Sequence, residues 1–323
     1  MIAQGEMVKE FEKQIAHHLG GYGTVCVGSG TAALVLSLKS LDVGVGDHVV
    51  VPALVCRNVL EAVTGNGSTP ILCDVGDDWI VTYDTIKRRL TRKTKAIIVP
   101  HIFGIKADIK EIKRFGIPII EDCAQAFGKT IHNEVIGTDG DLSVFSFQAT
   151  KCLTTGEGGA VMVSTRKKHW LSRLYELRDG GDDLSRKIFS PMSDITAGIG
   201  IAQLKKYDFF LRKRFQIAGR YDRVLQNKES VRTLNLKEYS SMYFRYVVKT
   251  KKSFLHYAQK FRDQGIVVRK GIELPLGHLK SEDRKALKNA IFLFNHTVSL
   301  PIYPALTRAE ILQISHAADC IFE

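Results

Sequence analysis

Lys151 stands in "FSFQATKCLTTGEGG", between a short apolar run and a cluster of glycines. Taken singly, a lysine is most often a solvated charge. The glycines change that reading because they let backbone approach a ligand closely. A lysine shielded from water also loses part of its preference for the ammonium form, which is what an amine needs in order to attack an aldehyde. Asp122 closes the apolar run "IPIIED" and so belongs at the carboxyl end of a strand, where open α/β sheets bind ligands. It is either the cap of the next helix or the partner of a protonated ring nitrogen, with Gln125 one turn along on the same side. In "VGSGTAAL" a strand ends at Val27 and a helix starts near Thr31, so backbone N–H groups and the helix dipole converge on a space suited to phosphate. The plain alternative is a tight turn with Ser29 or Thr31 as helix cap. Ser146, shortly before Lys151, is a further phosphate ligand or a strand-packing residue.

Together these stretches offer a phosphate cradle, a carboxylate for a pyridine nitrogen and an amine for an aldehyde, the three handles of pyridoxal phosphate. The elements that must position them are legible as alternation. "TVCV", "DHVVVP", "ILCDV", "AIIVP", "IPIIED", "SVFSF" and "GAVMV" read as strands. "TAALVLSLKSL", "NVLEAVTGN", "YDTIKRRLTR" and "IKEIKRFG" read as helices between them, their apolar residues recurring at three- and four-residue steps. That pattern predicts a mostly parallel sheet covered by helices on both faces. A long helical stretch, "SDITAGIGIAQLKKYDFFLRKRFQIAGRYDRVLQ", then leads to a strand "YFRYVVKT", an amphipathic helix "SFLHYAQKFRDQGI" ending at Gly265, and a strand "VVRK". We therefore expect a large cofactor-binding domain over residues 1–215 and a small α/β domain over 216–323.

The formal charge of +12 would suit a nucleic acid, a membrane surface or a small polyanionic substrate equally. The basic residues are diffuse and accompany no helix-turn-helix or RNA-binding signature, which argues against a nucleic acid. No apolar run is long enough to span a bilayer, and the N-terminus carries charges where a signal peptide needs an apolar core, so a soluble cytoplasmic protein is expected. The six cysteines are scattered without CxxC or zinc-like Cys/His spacing, so free thiols and no metal are expected.

The chain resembles the nucleotide-sugar aminotransferases of the DegT/DnrJ/StrS family, fold-type-I pyridoxal phosphate enzymes. The resemblance runs through "GEMVKEFEKQIAHHLG", "VGSGTAAL", "IEDCAQAFG", "GDLSVFSFQATKCLTTGEGGAV", "MSDITAGIGIAQLKKYD" and "TVSLPIYPALT". It implies a seven-stranded, mainly parallel sheet, a small C-terminal α/β domain and a homodimer. It also implies that Lys151 forms the Schiff base, that Asp122 stabilises the pyridinium, and that Gln125 lies near the phenolic oxygen, with Gly30, Thr31 and Ser146 holding the phosphate. The implied reaction moves an amino group from L-glutamate to the keto group of a nucleotide-linked sugar, Lys151 shuttling the proton.

Three features depart from the family pattern. The aromatic residue stacked on the cofactor falls at Cys56, and a thiol makes a weaker face contact. The family's "NYRMSD" loop reads "FSPMSD", with Phe189 and Pro191 at altered positions, and both ends of the chain look shortened. Two rivals are a sugar dehydratase of the same fold, whose members replace the lysine with histidine, and a non-catalytic regulatory or structural relative. Lys151 stands against the first. Retention of Lys151, Asp122, Gln125 and Ser146 together stands against the second.

Overall fold

The computed structural model describes residues 4–164, 167–180, 190–234, 238–272 and 281–322. All seven predicted strands form: β1 (Gly23–Val27), β2 (His48–Pro52), β3 (Thr69–Cys73), β4 (Thr94–Pro100), β5 (Ile119–Asp122), β6 (Leu142–Ser146) and β7 (Gly159–Val163). They make one sheet in the order β1-β7-β6-β5-β4-β2-β3. Within it β7 runs antiparallel to both its neighbours, while the pairs from β6 to β3 are parallel. Such strands lie between two layers of helices and are apolar on both faces.

Alternation along each strand divides the core in two. Val25, Val144 and Val161 face a cluster on one side, whereas Cys26, Phe145 and Met162 face a second cluster on the other. Helices α1 (Glu6–Leu19), α2 (Gly30–Ser40), α3 (Arg57–Gly65), α4 (Tyr83–Lys87), α5 (Ile109–Ile112) and α6 (His169–Asp179) cover these faces. Two predicted helices are shorter than their periodicity suggests. "YDTIKRRLTR" is helical only over α4, and "IKEIKRFG" turns into a 3-10 segment that Gly116 closes at φ 68°. The 34-residue helical stretch is two helices, α7 (Asp194–Leu204) and α8 (Tyr207–Leu225), broken at Lys205 and Lys206. Asp194 fastens α7 to α1 by accepting from the amides of Gly5 and Val8 at 3.1 and 3.0 Å.

The C-terminal part holds an antiparallel sheet of β8 (Val231–Arg232), β9 (Tyr246–Thr250) and β10 (Thr297–Leu300) in the order β10-β9-β8. Around it lie α9 (Phe254–Asp263), α10 (Ser281–Ala286), α11 (Lys288–His296) and α12 (Arg308–Ile321). The predicted strand "VVRK" is absent as a strand. Arg269 alone pairs, with Ser299, and left-handed turns at Gly265 (φ 71°) and Gly271 (φ 88°) bracket the segment closely. A third core gathers Tyr221, Tyr246, Phe261, Val298 and Phe322. Phe215, inside α8, packs against both the second and third cores. Trp79 Nε1 donates to Thr297 Oγ1 at 2.7 Å, and Asp74 accepts from the amides of Asn289 and Ala290, which ties the C-terminal part to the large sheet.

The N-terminal helix is held by a buried charge. Glu12 Oε1 accepts from Cys26 N at 2.7 Å and from Arg178 Nη1 at 2.6 Å, joining α1, β1 and α6. Burial pushes the Glu12 carboxyl up, and the hydrogen bond from Cys26 and the Arg178 charge pull it back. Arg178→Met leaves that carboxyl without its counter-ion and is expected to lower unfolding stability by about 3–5 kcal/mol at neutral pH. The carboxyl, pushed up further, takes a proton as pH falls, so the deficit narrows in acid; urea titrations at several pH values measure both effects.

Candidate functional site

The cleft opens at the carboxyl ends of β4, β5 and β6, beside the amino end of α2, with a volume of about 450 Å³. All seven residues expected to form the site line it: Gly30, Thr31, Cys56, Asp122, Gln125, Ser146 and Lys151. Its anionic end is built by close approach. Ser29 caps α2, its hydroxyl accepting from Ala32 N at 3.1 Å, and the first amides of the helix, Gly30 and Thr31, have no intrahelical acceptor. A Cβ on Gly30 would lie 2.8 Å from Ser146 Cβ, so the helix end rests directly on the end of β6. Backbone N–H groups and a serine hydroxyl thus meet there as phosphate requires.

Asp122 ends β5 and is buried. Its Oδ1 accepts from Ala124 N at 3.0 Å, which is the hydrogen bond its carboxylate makes among the described residues. It therefore forms the local turn of the capping alternative and still has an oxygen for a ligand. Burial pushes the carboxyl above its ordinary value; the Ala124 N–H and the Lys151 charge pull it back. A cation, or a protonated ring nitrogen, would relieve the remaining cost. Gln125 Oε1 accepts from Phe103 N at 2.8 Å, which leaves its amide NH2 as a donor for the cleft. Phe103 takes a left-handed φ of 58°, held by that bond and by Arg245 N donating to Phe103 O at 3.2 Å.

Lys151 sits on a loop closed by Phe147 N to Gly158 O at 2.8 Å and Thr155 N to Phe147 O at 2.9 Å. It is half-buried rather than shielded as its sequence setting suggested, because the loop reaches out of the sheet to the cleft mouth. Its ammonium lies 5.6 Å from the Phe244 ring centre, on a face that attracts cations. Cys56, exposed on the cleft wall, donates to Asn58 Oδ1 at 3.2 Å, and Asn58 Nδ2 donates to Thr31 Oγ1 at 3.3 Å. The altered loop meets the glycines of "VGSGT": Ser190 O accepts from Gly28 N at 2.8 Å. Phe189 and most of "GIELPLGH" lie outside the described residues.

Asn58, His101 and Phe244 are site residues that sequence reasoning missed. Asn58 follows Cys56 at a helix start, where a side-chain amide is an ordinary capping residue; only its reach to Thr31 gives it a role. His101 is buried behind Asp122, with Nε2 2.7 Å from Glu121 Oε2 and Nδ1 accepting from Ala107 N at 3.1 Å. These contacts assign the ring proton to Nε2. His101, Glu121 and Cys123 offer donor atoms within 4.8 Å of one another, yet both ring nitrogens are engaged and Glu121 Oε1 also accepts from Gly140 N. That cluster is a hydrogen-bonded strut.

The family model for DegT/DnrJ/EryC1/StrS aminotransferases matches residues 1–318. The chain belongs to this family. It is 30% identical to the GDP-perosamine synthase of Escherichia coli O157:H7 over 336 aligned residues, covering 98% of this chain and 90% of that one. It is 32% identical to the dTDP-4-dehydro-2,3,6-trideoxy-D-glucose 4-aminotransferase of Saccharopolyspora spinosa, covering 97% and 89%. Spr1654 of Streptococcus pneumoniae, solved in a PLP form, superposes with a TM-score of 0.89 at 26% identity, covering 99% of this chain and 92% of that one. The architecture is the fold-type-I arrangement of pyridoxal phosphate enzymes.

The raised Asp122 carboxyl yields a pH signature in the cofactor-free chain. A folded-state value above the unfolded one means that stability is lost as pH rises through the folded value. Asp122→Asn removes the buried charge, so it should stabilise the cofactor-free chain at neutral pH and make no difference below about pH 4. Paired denaturant titrations of the two chains at pH 3.5 and pH 7.5 measure this.

Proposed function

We propose that this protein is a pyridoxal phosphate-dependent aminotransferase that moves an amino group from L-glutamate to the keto group of a nucleotide-linked sugar. The observation that carries the reading is convergence: the helix-end cradle, the buried carboxylate and the lysine share one cleft in a chain of this family. The residues fit the cofactor. A glycine with no room for a Cβ, free helix amides and Ser146 match a phosphate; Asp122 has an oxygen to spare for a ring nitrogen. When bound, the cofactor supplies an electron sink for the carbon next to the transferred nitrogen.

Asp122 holds a proton on the ring nitrogen, and burial strengthens that pairing because the carboxylate has little water to compete with. Gln125 offers its NH2 to the oxygen side of the ring. Lys151 Nζ is the amine that would hold the cofactor through its aldehyde. As a free amine Nζ would move a proton to and from the substrate carbon, and its half-exposed position leaves room for an incoming amine. The formal charge of +12 favours a diphosphate-bearing acceptor. The names of the relatives support a keto-sugar carried on a nucleoside diphosphate. Lys151, where sugar dehydratases carry histidine, favours amino transfer.

We further propose a homodimer. Its support is the apolar face of α1 and α7, where Met7, Ile195 and Ile199 are exposed beside the loop that meets the cleft glycines. A split near residue 215 places Phe215 at the joint between a large domain and a C-terminal domain. Among the described residues no helix is long and apolar enough to cross a membrane, and all six cysteines are free, which supports a cytoplasmic enzyme.

The purified protein should be yellow with bound cofactor and should lose that absorbance on addition of L-glutamate. A colourless protein that cannot be reconstituted would overturn the reading. Lys151→Ala should abolish borohydride trapping of the cofactor and slow amino transfer by at least about 10²–10⁴-fold, the share of the proton transfer alone. Cys56→Tyr restores an aromatic wall and should slow cofactor loss during dialysis by about 2- to 10-fold, the worth of one stacked ring.

A further inference from the structure

A second cavity of about 330 Å³ lies far along the chain from these residues, between α8 and α12. We infer that this groove is a separate binding site for a nucleotide-sized organic phosphate. Its rim is cationic: Lys213, Arg220 and Arg223 from α8 and Arg308 from the first turn of α12. Lys213 and Arg220 stand two turns apart on one helix face, and Arg223 continues that face one turn further.

Among the described residues no carboxylate lines the groove, and the acids of the two helices nearest to it are committed elsewhere. Glu310 Oε2 accepts from Thr307 N at 2.8 Å and Thr307 Oγ1 at 2.7 Å, Asp222 accepts from Tyr246 OH at 2.7 Å, and Asp319 pairs with Lys228 at 2.7 Å. The four cations therefore share a concavity without internal neutralisation. Arg220 adds a half-buried guanidinium whose Nε has no hydrogen-bond partner among the described residues. The terminal nitrogens of that guanidinium are the donors it offers to an anion in the groove. Arg223 Nε donates to Gly219 O at 3.1 Å, which holds its guanidinium along the rim.

The floor distinguishes an organic phosphate from a bare one. Ile217, Leu306, Ile311 and Leu312 present apolar surface, and Leu312 is 42% exposed. The volume falls in the range of small-molecule sites. A ligand with a ring at one end and two or more anionic oxygens at the other covers the floor and neutralises the rim; guanidinium groups suit the second task because their planar forks match phosphate oxygens.

The test uses the cofactor-loaded protein with GDP and inorganic pyrophosphate as probes in equilibrium dialysis. Arg223→Glu/Arg308→Glu reverses two exposed rim charges, and Arg220→Gln removes the charge of the half-buried one. A thermal unfolding midpoint equal to that of the unaltered protein confirms that each variant is folded. The expected result is loss of one equivalent of bound GDP per chain in the double variant, or a weakening of that equivalent by about tenfold or more, and a smaller loss in Arg220→Gln. GDP bound in the catalytic cleft survives these changes, so failure of the aminotransferase reading and failure of this site are told apart. GDP binding of the same stoichiometry and affinity in both variants would overturn the site, and pyrophosphate held as tightly as GDP would overturn the role of the apolar floor.

Discussion

The amino end of α2 can lie over the ends of β6 and β7 only because Gly30 and Gly159 carry no side chain. A Cβ on Gly159 would lie 2.6 Å from Gly30 N and closer still to Ser29 O, so the helix would have to lift off the sheet. With it would go the placement of the free helix amides against Ser146. The same turn is braced from the other side, where Gly28 N donates to Ser190 O. Backbone packing against backbone leaves no flexible side chain to yield, which makes this contact a stiff reference for the rest of the cleft.

Two consecutive carboxylates on β5 show how the sheet separates structure from chemistry. Glu121 and Asp122 are both buried, and strand geometry points them to opposite faces. Glu121 is saturated by His101, Gly140 and Ser143, which turns a buried charge into a strut between β4 and the loop before β6. Asp122 has, among the described residues, one hydrogen bond from the turn that follows it and faces the cleft. The strut helps to hold the strand end still, and the unsaturated carboxylate is what the strand end presents.

The strands were legible because burial on both faces demands near-continuous β-branched runs, and the glycines that follow Lys151 pointed to close backbone approach. Gly30, Thr31, Asp122, Gln125, Ser146 and Lys151 followed from local pattern and from the resemblance. Length was poorly legible where tertiary contacts decide it: α4 and α5 end early, and "VVRK" pairs at one residue although its β-branched pair suits a strand. Phe244 and the groove of Arg220 were not legible at all. Both depend on segments far apart in the chain meeting in space, and neither carries a periodic or motif signal of its own.

Phe244 also explains how the C-terminal part reaches the chemistry. Arg214, buried in α8, donates from one Nη1 to the carbonyls of Tyr243, Phe244 and Ile302 at 3.0, 3.0 and 2.9 Å. Three carbonyls on one guanidinium nitrogen pin the segment that carries Phe244 to the long helix and to the chain after β10. That ring then offers its face to the Lys151 ammonium while Arg245 lies 5.4 Å from the same ring. Two cations around one ring, with Lys151 half-exposed, give the amine an environment set by residues from both parts of the chain. The orientation of Lys151 therefore depends on α8 keeping its place against both the second and third cores, which is the position that Phe215 secures.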